Sequence, residues 1–352
     1  MTGVNYTKPD GELCVLRRRY FTGIFTAVVF ITGLTIAGCG IDMNYMTFDS
    51  DAARTTFEPG IVLESNSDEN ATESGISLMT SDLTVIKGNE KSTLSGNPKF
   101  NAKAVFVADD DENKPLYVKH ALKKLYPASL TKIMTAYVAY KYCDDLEKKF
   151  IVTEDCLELP DAYAKKMGLQ VGDSITIHDL LRASLIPSCN DAAKSLAVAV
   201  AGSEEEFVSL MNDEALNLGA TRSHFTNCHG LHDKNHYTTL YDLYLIMHEL
   251  MKNPDFVKCI SSANTEINYN DTYGNPKTVT MKSTDQYLTG SAEVPEGITV
   301  IGGKTGTTDE AGSCMLLYVK NSSGKGYFTG ILGSSDSLNL YASLSTIFDA
   351  IK

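Results

Sequence analysis

The chain lacks a basic excess: 31 lysines and arginines stand against 44 acidic residues, a net charge of −13, and no basic patch is visible. A polyanion would be repelled rather than gathered, so nucleic acid is not an expected partner. Eight cysteines are present, yet no two are spaced Cys-x-x-Cys, which removes the usual signature of thiol redox catalysis. Long apolar runs are also scarce. The longest uncharged apolar stretch, 20–38, lies near the N-terminus behind Arg17, Arg18 and Arg19.

What the chain does have is three short motifs in order: Ser129-Leu-Thr-Lys132, Ser188-Cys-Asn190 and Lys304-Thr-Gly306. A serine hydroxyl is a poor nucleophile at neutral pH and needs a base within hydrogen-bond reach. Apolar residues at 130, 133, 134, 137 and 138 have helical spacing, so Ser129 is expected to open a helix with Pro127 just outside it. Residues i and i+3 share a helix face, which sets the Lys132 amine beside the Ser129 hydroxyl. Lysine serves as a base only if burial or a second cation lowers its pKa, and Lys304 is a candidate for that cation.

Each motif alone has a plain alternative. Ser322-Ser-Gly-Lys325 matches the first spacing too, but between two apolar runs it reads as a hairpin turn. Ser188-Cys-Asn190 precedes a small apolar helix, where Ser, Asn and Asp are ordinary caps. Functionally, its hydroxyl and amide can relay a proton and bind a peptide group. Lys304-Thr305-Gly306 continues the β-branched run 298–301 through two glycines, so it reads as a strand approached closely by other backbone, with Gly306 leaving room for a ligand. Its cation and hydroxyl suit a substrate carboxylate.

Together with the longer phrases Tyr126-Pro-Ala-Ser-Leu-Thr-Lys-Ile-Met-Thr135, Gly230-Leu-His-Asp233, His236-Tyr-Thr-Thr239 and Lys304-Thr-Gly-Thr-Thr308, these motifs make residues 96–352 resemble the penicillin-binding serine D,D-peptidases. The likeness is to the low-molecular-mass D-alanyl-D-alanine carboxypeptidases. It implies Ser129 as acyl-ester nucleophile, Lys132 as proton acceptor, and Ser188 and Asn190 as the second catalytic motif. It further implies a substrate site at Lys304, Thr305, Gly306 and Thr307, with an oxyanion hole from the N–H groups of Ser129 and Thr307. Peptidoglycan stem peptides and β-lactam antibiotics are the implied partners, with no cofactor. The middle position of the second motif departs from the family's usual glycine, being Cys189. A β-lactamase would need a carboxylate to activate the deacylating water, and Asp213-Glu-Ala-Leu-Asn217 is a near match of the wrong spacing. A non-catalytic penicillin binder is the other alternative, though the trio is intact. Cys189 as nucleophile has no identifiable base.

His229, His232, Asp233 and His236 near Cys228 are read as a structural loop rather than a metal site. The six cysteines after residue 95 are expected as free, mostly buried thiols. The fold expected is α/β and penicillin-binding/β-lactamase-like: a five-stranded antiparallel sheet from 104–108, 116–119, 298–304, 314–319 and 327–332, flanked by helices, plus a helical lobe from 178–185, 191–201, 204–217 and 240–252. Residues 334–352 are expected to be a core-packing helix rather than a membrane anchor. Residues 1–39 read as an export signal ending in Ile36-Ala-Gly-Cys39, which resembles a lipobox with Cys39 as lipidation site; an uncleaved signal anchor is the alternative, since 20–38 just suffices to span a bilayer. The cytoplasmic membrane is then a partner through the N-terminus, with the enzyme outside that membrane. Residues 40–95, with ten acids against three bases, are expected to be a disordered tether spanning about 40 Å.

Overall fold

The computed structural model describes residues 83–352 apart from 89 and 97. The export signal, Cys39 and most of the tether therefore lie outside the described residues. Five strands, β1 (Ala102–Asp109), β2 (Lys114–Lys119), β7 (Ile298–Thr308), β8 (Gly312–Asn321) and β9 (Gly326–Ser334), form one antiparallel sheet in the order β2-β1-β9-β8-β7. The expected sheet is thus present, each strand extended by a few residues. Its central strands are buried on both faces. Along β1, Ala104, Phe106 and Ala108 join one core while Val105 and Val107 join another, the alternation a pleated strand enforces.

The second core is closed by α7 (Ser337–Ile351), whose Leu340, Leu344, Ile347, Phe348 and Ile351 lie on one stripe against Met315, Leu317 and Ile331. Asp336 caps it, accepting from the Asn339 N–H at 2.8 Å. The first core is larger and holds the helical lobe: α1 (Thr131–Tyr142), α2 (Ile177–Leu185), α3 (Asn190–Ala201), α4 (Glu204–Asn217) and α5 (Leu240–Leu250). Thr239 caps α5 through the Asp242 N–H, as the capping box Thr239-Leu-Tyr-Asp242 predicts. The turn at 322–325 joins β8 to β9. There Lys325 pairs with Asp109 and Glu112, both at 2.6 Å, so the second Ser-x-x-Lys match holds its cation against carboxylates.

Three features differ from expectation. A second sheet, β3 (Lys149–Ile151), β4 (Ser174–Thr176), β5 (Asn264–Asn270) and β6 (Pro276–Lys282), was not anticipated. Two of its strands have three residues, and β5 buries only Thr265 and Ile267 among polar neighbours. The short α6 (Pro254–Ile260) is likewise new, with Asn253 as cap and proline in its first turn. Finally, the tether boundary at 95 is too late. Thr84 N–H donates to the Tyr244 hydroxyl at 2.8 Å, the Tyr241 hydroxyl donates to Thr84 O at 3.0 Å, and Ile86 and Leu94 enter the cores. Apolar anchors outweigh the polar composition there.

Candidate active site

The three motifs, far apart in sequence, meet where the helical lobe adjoins the edge strand β7. Ser129 sits in a 3-10 turn, Ala128–Leu130, that leads directly into α1. The turn begins with strain: Ala128 has φ +49°, a region non-glycine residues seldom occupy. Several contacts hold it there. Thr131 Oγ1 donates to Ala128 O at 2.8 Å, and His236 Nε2 lies 2.7 Å from the same hydroxyl. His236 Nδ1 accepts from the Thr226 N–H at 3.0 Å, so the ring proton resides on Nε2 and the hydrogen bonds run His236 to Thr131 to Ala128. Burial pulls the His236 imidazole down to about 4, which keeps it neutral in this role. Gly230 backs the turn so closely that a Cβ there would meet Ala128 O at 2.0 Å. The direct service of the histidine loop to the Ser129 turn was not foreseen from sequence.

Lys132 is fully buried at the start of α1. Its Nζ donates to Ser129 Oγ at 3.1 Å, to Asn190 Oδ1 at 2.7 Å and to His229 O at 2.7 Å. Burial is the main force bringing this amine down to about 7, with the Lys165 charge adding to it. Of the two causes the sequence offered, burial or a second cation such as Lys304, burial carries most of the effect. Near neutral pH a substantial fraction of Lys132 is therefore unprotonated and able to accept the serine proton.

Ser188 also has a positive φ, +67°, and its hydroxyl accepts from Lys304 Nζ at 2.9 Å. Lys304 is buried behind that hydroxyl and also donates to Thr305 O at 3.0 Å. Burial, then the Lys132 and Lys165 charges, hold its amine well below the usual lysine range. A cavity of about 670 Å³ opens in front, lined by Ser129, Ser188, Asn190, Thr305, Gly306 and Thr307, with the exposed Lys165 among its other walls. Lys132 and Lys304 are not on that wall. Thr305 Oγ1 donates to Thr284 Oγ1 at 2.5 Å, which places a second hydroxyl beside it. The space that Gly306 leaves is filled by the protein rather than a ligand: a Cβ there would lie 2.9 Å from Ser129 N and 2.8 Å from Leu130 Cδ1. Glycine is thus what lets β7 and the serine turn touch.

Asp191 is the other residue the sequence reading left out. Its buried carboxylate accepts from the N–H groups of Met167 at 3.0 Å, Gly168 at 2.9 Å and Leu169 at 3.3 Å. Asn190 N–H donates to Lys165 O at 2.8 Å. These bonds lash the segment carrying Lys165 to the second motif. An aspartate following Ser-x-Asn at a helix start was the available signal, but it was taken as capping.

Cys189 is buried with its Sγ 3.8 Å from Met281 Sδ, and burial pushes its thiol up to about 12. It is protonated at physiological pH and no nucleophile. All six described cysteines are free, five of them buried. Glu214, from the near match to a water-activating carboxylate, accepts instead from Lys141 Nζ at 2.5 Å and the Tyr142 hydroxyl at 2.7 Å. The carboxylates that line the cavity are Asp161, Asp309 and Glu310, all exposed.

Residues 91–326 match the family model described as D-alanyl-D-alanine carboxypeptidase. The chain is 35% identical over 161 residues to the D-alanyl-D-alanine carboxypeptidase DacF of Bacillus subtilis, covering 45% of this chain and 41% of that protein. It is 37% identical over 158 residues to DacC of Escherichia coli, covering 42% and 39%. The matched stretch thus spans about two fifths of these relatives' length. A structure of a Streptomyces DD-transpeptidase superposes with a TM-score of 0.66 at 27% identity, covering 72% of this chain and 97% of that one.

Proposed function

Because the chain belongs to the D-alanyl-D-alanine carboxypeptidase family of serine peptidases, we propose that it removes the terminal D-alanine from peptidoglycan stem peptides through an acyl-enzyme on Ser129. The observation that carries this reading is the buried Lys132 amine, held near 7 and 3.1 Å from the Ser129 hydroxyl. Neutral Lys132 takes the proton from Ser129 Oγ as the oxygen attacks the carbonyl carbon between the two D-alanines. The N–H groups of Ser129 and Thr307 hold the developing oxyanion. The proton returns to the leaving amine by way of the Ser188 hydroxyl, D-alanine departs, and water cleaves the ester with Lys132 again as base.

The terminal carboxylate of the substrate meets the Thr305 and Thr284 hydroxyls. Lys304 stands behind Ser188 with only neutral partners among its hydrogen bonds. An arriving carboxylate adds its negative charge to that of Asp285, which already acts on Lys304, and favours the protonated amine, so substrate binding is coupled to proton uptake. β-Lactams would acylate the same serine. The protein would act outside the cytoplasmic membrane, held by its N-terminus through a lipid on Cys39. The support for that placement is the Arg17–Arg19 flank, the uncharged run 20–38 and the Ile36-Ala-Gly-Cys39 phrase.

The test combines intact-mass measurement after penicillin with D-alanine release from a stem-peptide analogue. The expected result is a long-lived penicilloyl adduct on Ser129, absent in Ser129→Ala, together with D-alanine release. Rapid, repeated penicillin turnover with negligible D-alanine release would establish a β-lactamase instead.

A further inference from the structure

Away from the cavity, His178, Asp255 and Cys259 bring three different donor atoms together, all within 4.8 Å of one another. Among the described residues no other three His, Cys, Asp or Glu side chains do so. We propose that they form a binding site for one divalent transition-metal ion, zinc being the best chemical match.

The local fold builds the set. Asp255 and Cys259 are i and i+4 on α6, so one helix face presents both. His178, in the first turn of α2, reaches across with Nε2 3.1 Å from Asp255 Oδ1. Zinc with bonds of about 2.0–2.3 Å sets tetrahedral ligand atoms about 3.3–3.8 Å apart, so the three donors need only small rotations to receive it. A nitrogen, an oxygen and a sulfur ligand together favour a borderline ion over magnesium or calcium, which prefer oxygen alone.

Two surrounding groups already occupy the positions of outer partners. Glu147 Oε1 lies 3.4 Å from His178 Nδ1, near enough to become the outer partner that orients a ligating imidazole once Nε2 holds the metal. The Tyr140 hydroxyl donates to Asp255 Oδ2 at 2.8 Å, which leaves Oδ1 as the oxygen facing the histidine. The His178 and Asp255 side chains are 25% and 31% exposed while Cys259 is buried, so the site has a mouth for entry and room for a water as fourth ligand. Burial, with Asp255 beside it, pushes the Cys259 thiol up to about 11, so without metal it keeps its proton. On binding, the S–H proton passes to solvent as the metal–sulfur bond forms, with no change of oxidation state.

The consequence is mechanical. A metal would bolt α2, which leads into Ser188-Cys189-Asn190, to α6. The last carbonyl of α6, at Ile260, abuts Gly302 of β7, where a Cβ would lie 2.1 Å from it. The bolt therefore ties two of the elements that carry the motifs.

The experiment titrates chelator-treated full-length protein with Co²⁺ and follows absorption, then with Zn²⁺ by calorimetry. The expected result is one equivalent bound with micromolar affinity or better, with a thiolate-to-cobalt charge-transfer band and tetrahedral ligand-field bands. The charge-transfer band vanishes in Cys259→Ser, affinity is lost in His178→Gln, and Glu147→Gln weakens it about tenfold. His178 is partly exposed, so its variant keeps the test decisive even if Cys259→Ser fails to fold. Absence of the charge-transfer band, or affinity unchanged in His178→Gln, would leave only a hydrogen-bonded His–Asp pair and overturn the site. The readout is metal binding, so it stands or falls independently of the proposed peptidase activity.

Discussion

If Lys132 is the base, the acylation rate must follow its neutral fraction. With the amine at about 7, that fraction is about 0.09 at pH 6, about 0.5 at pH 7 and about 0.9 at pH 8. The second-order rate constant for a fluorescent penicillin should therefore rise about fivefold from pH 6 to 7, less than twofold to pH 8, and level off. A lysine at its ordinary 10.5 would give a rise of about tenfold per unit through pH 9. Such an unbroken rise would refute the assignment. The same displacement has a cost in stability. The unfolded chain binds a proton at 10.5 and the folded one at about 7, so between these values the unfolded state holds more protons and stability increases with pH. The cost is full below pH 7, at about 4.7 kcal/mol at pH 6, and falls to about 2 kcal/mol at pH 9. Lys132→Met removes it, but strands Asn190 Oδ1 and His229 O at about 1–3 kcal/mol each. Those losses do not vary with pH, so the measurement is the slope. Relative to wild type, urea unfolding of the variant should show its advantage shrink by about 2.7 kcal/mol from pH 6 to 9. A parallel pair of stability curves would mean that the amine is not displaced.

His236 titrates on the acid side. Its folded value of about 4 lies below the unfolded 6.5, so the neutral ring's stability is complete above pH 6.5 and is lost as pH falls toward 4, about 2.5 kcal/mol by pH 4.5; calorimetry of wild type should show this loss and His236→Gln should lack it. Asp191→Ala should unfasten the 167–169 backbone and leave three N–H donors without their acceptor, slowing penicillin acylation about tenfold or more, with increased proteolytic nicking near 160–170 as the structural readout. Unchanged acylation would show that the Lys165 segment does not matter to the reaction. Cys39→Ser should abolish labelling by a palmitate analogue while leaving penicillin binding intact; persistent labelling would place the lipid elsewhere, and no labelling of wild type would favour the uncleaved anchor.

The parts of this molecule that could be read from sequence are those where local pattern and tertiary burial agree. The five-stranded sheet was legible because its strands are apolar and bounded by turns, as at Cys314–Val319 and Phe328–Leu332. The sheet of β3 to β6 was not, because its strands are short or mostly polar and depend on neighbours for pairing rather than on a continuous apolar face. At the site, residue identity and order were enough to gather Ser129, Lys132, Ser188, Asn190 and the Lys304 strand. What they left unread is depth. Sequence has no term for a lysine that stands behind a wall instead of on it, and that distinction changes the reading of Lys304. Buried behind Ser188, under the proposed function it would act on a substrate carboxylate through a field and a proton, whereas Thr305 and Thr284 would supply the contact surface. The same holds for the backbone. Ala128 and Ser188 occupy positive φ without being glycine, a cost of order 1–3 kcal/mol each that no propensity would assign. Ala128 directly precedes Ser129 and Ser188 is itself in the second motif, and the Ala128 turn is held by His236 through Thr131 and backed by Gly230. The phrases around 226–239 therefore matter less for chemistry of their own than for keeping the serine turn in a conformation it would not otherwise adopt.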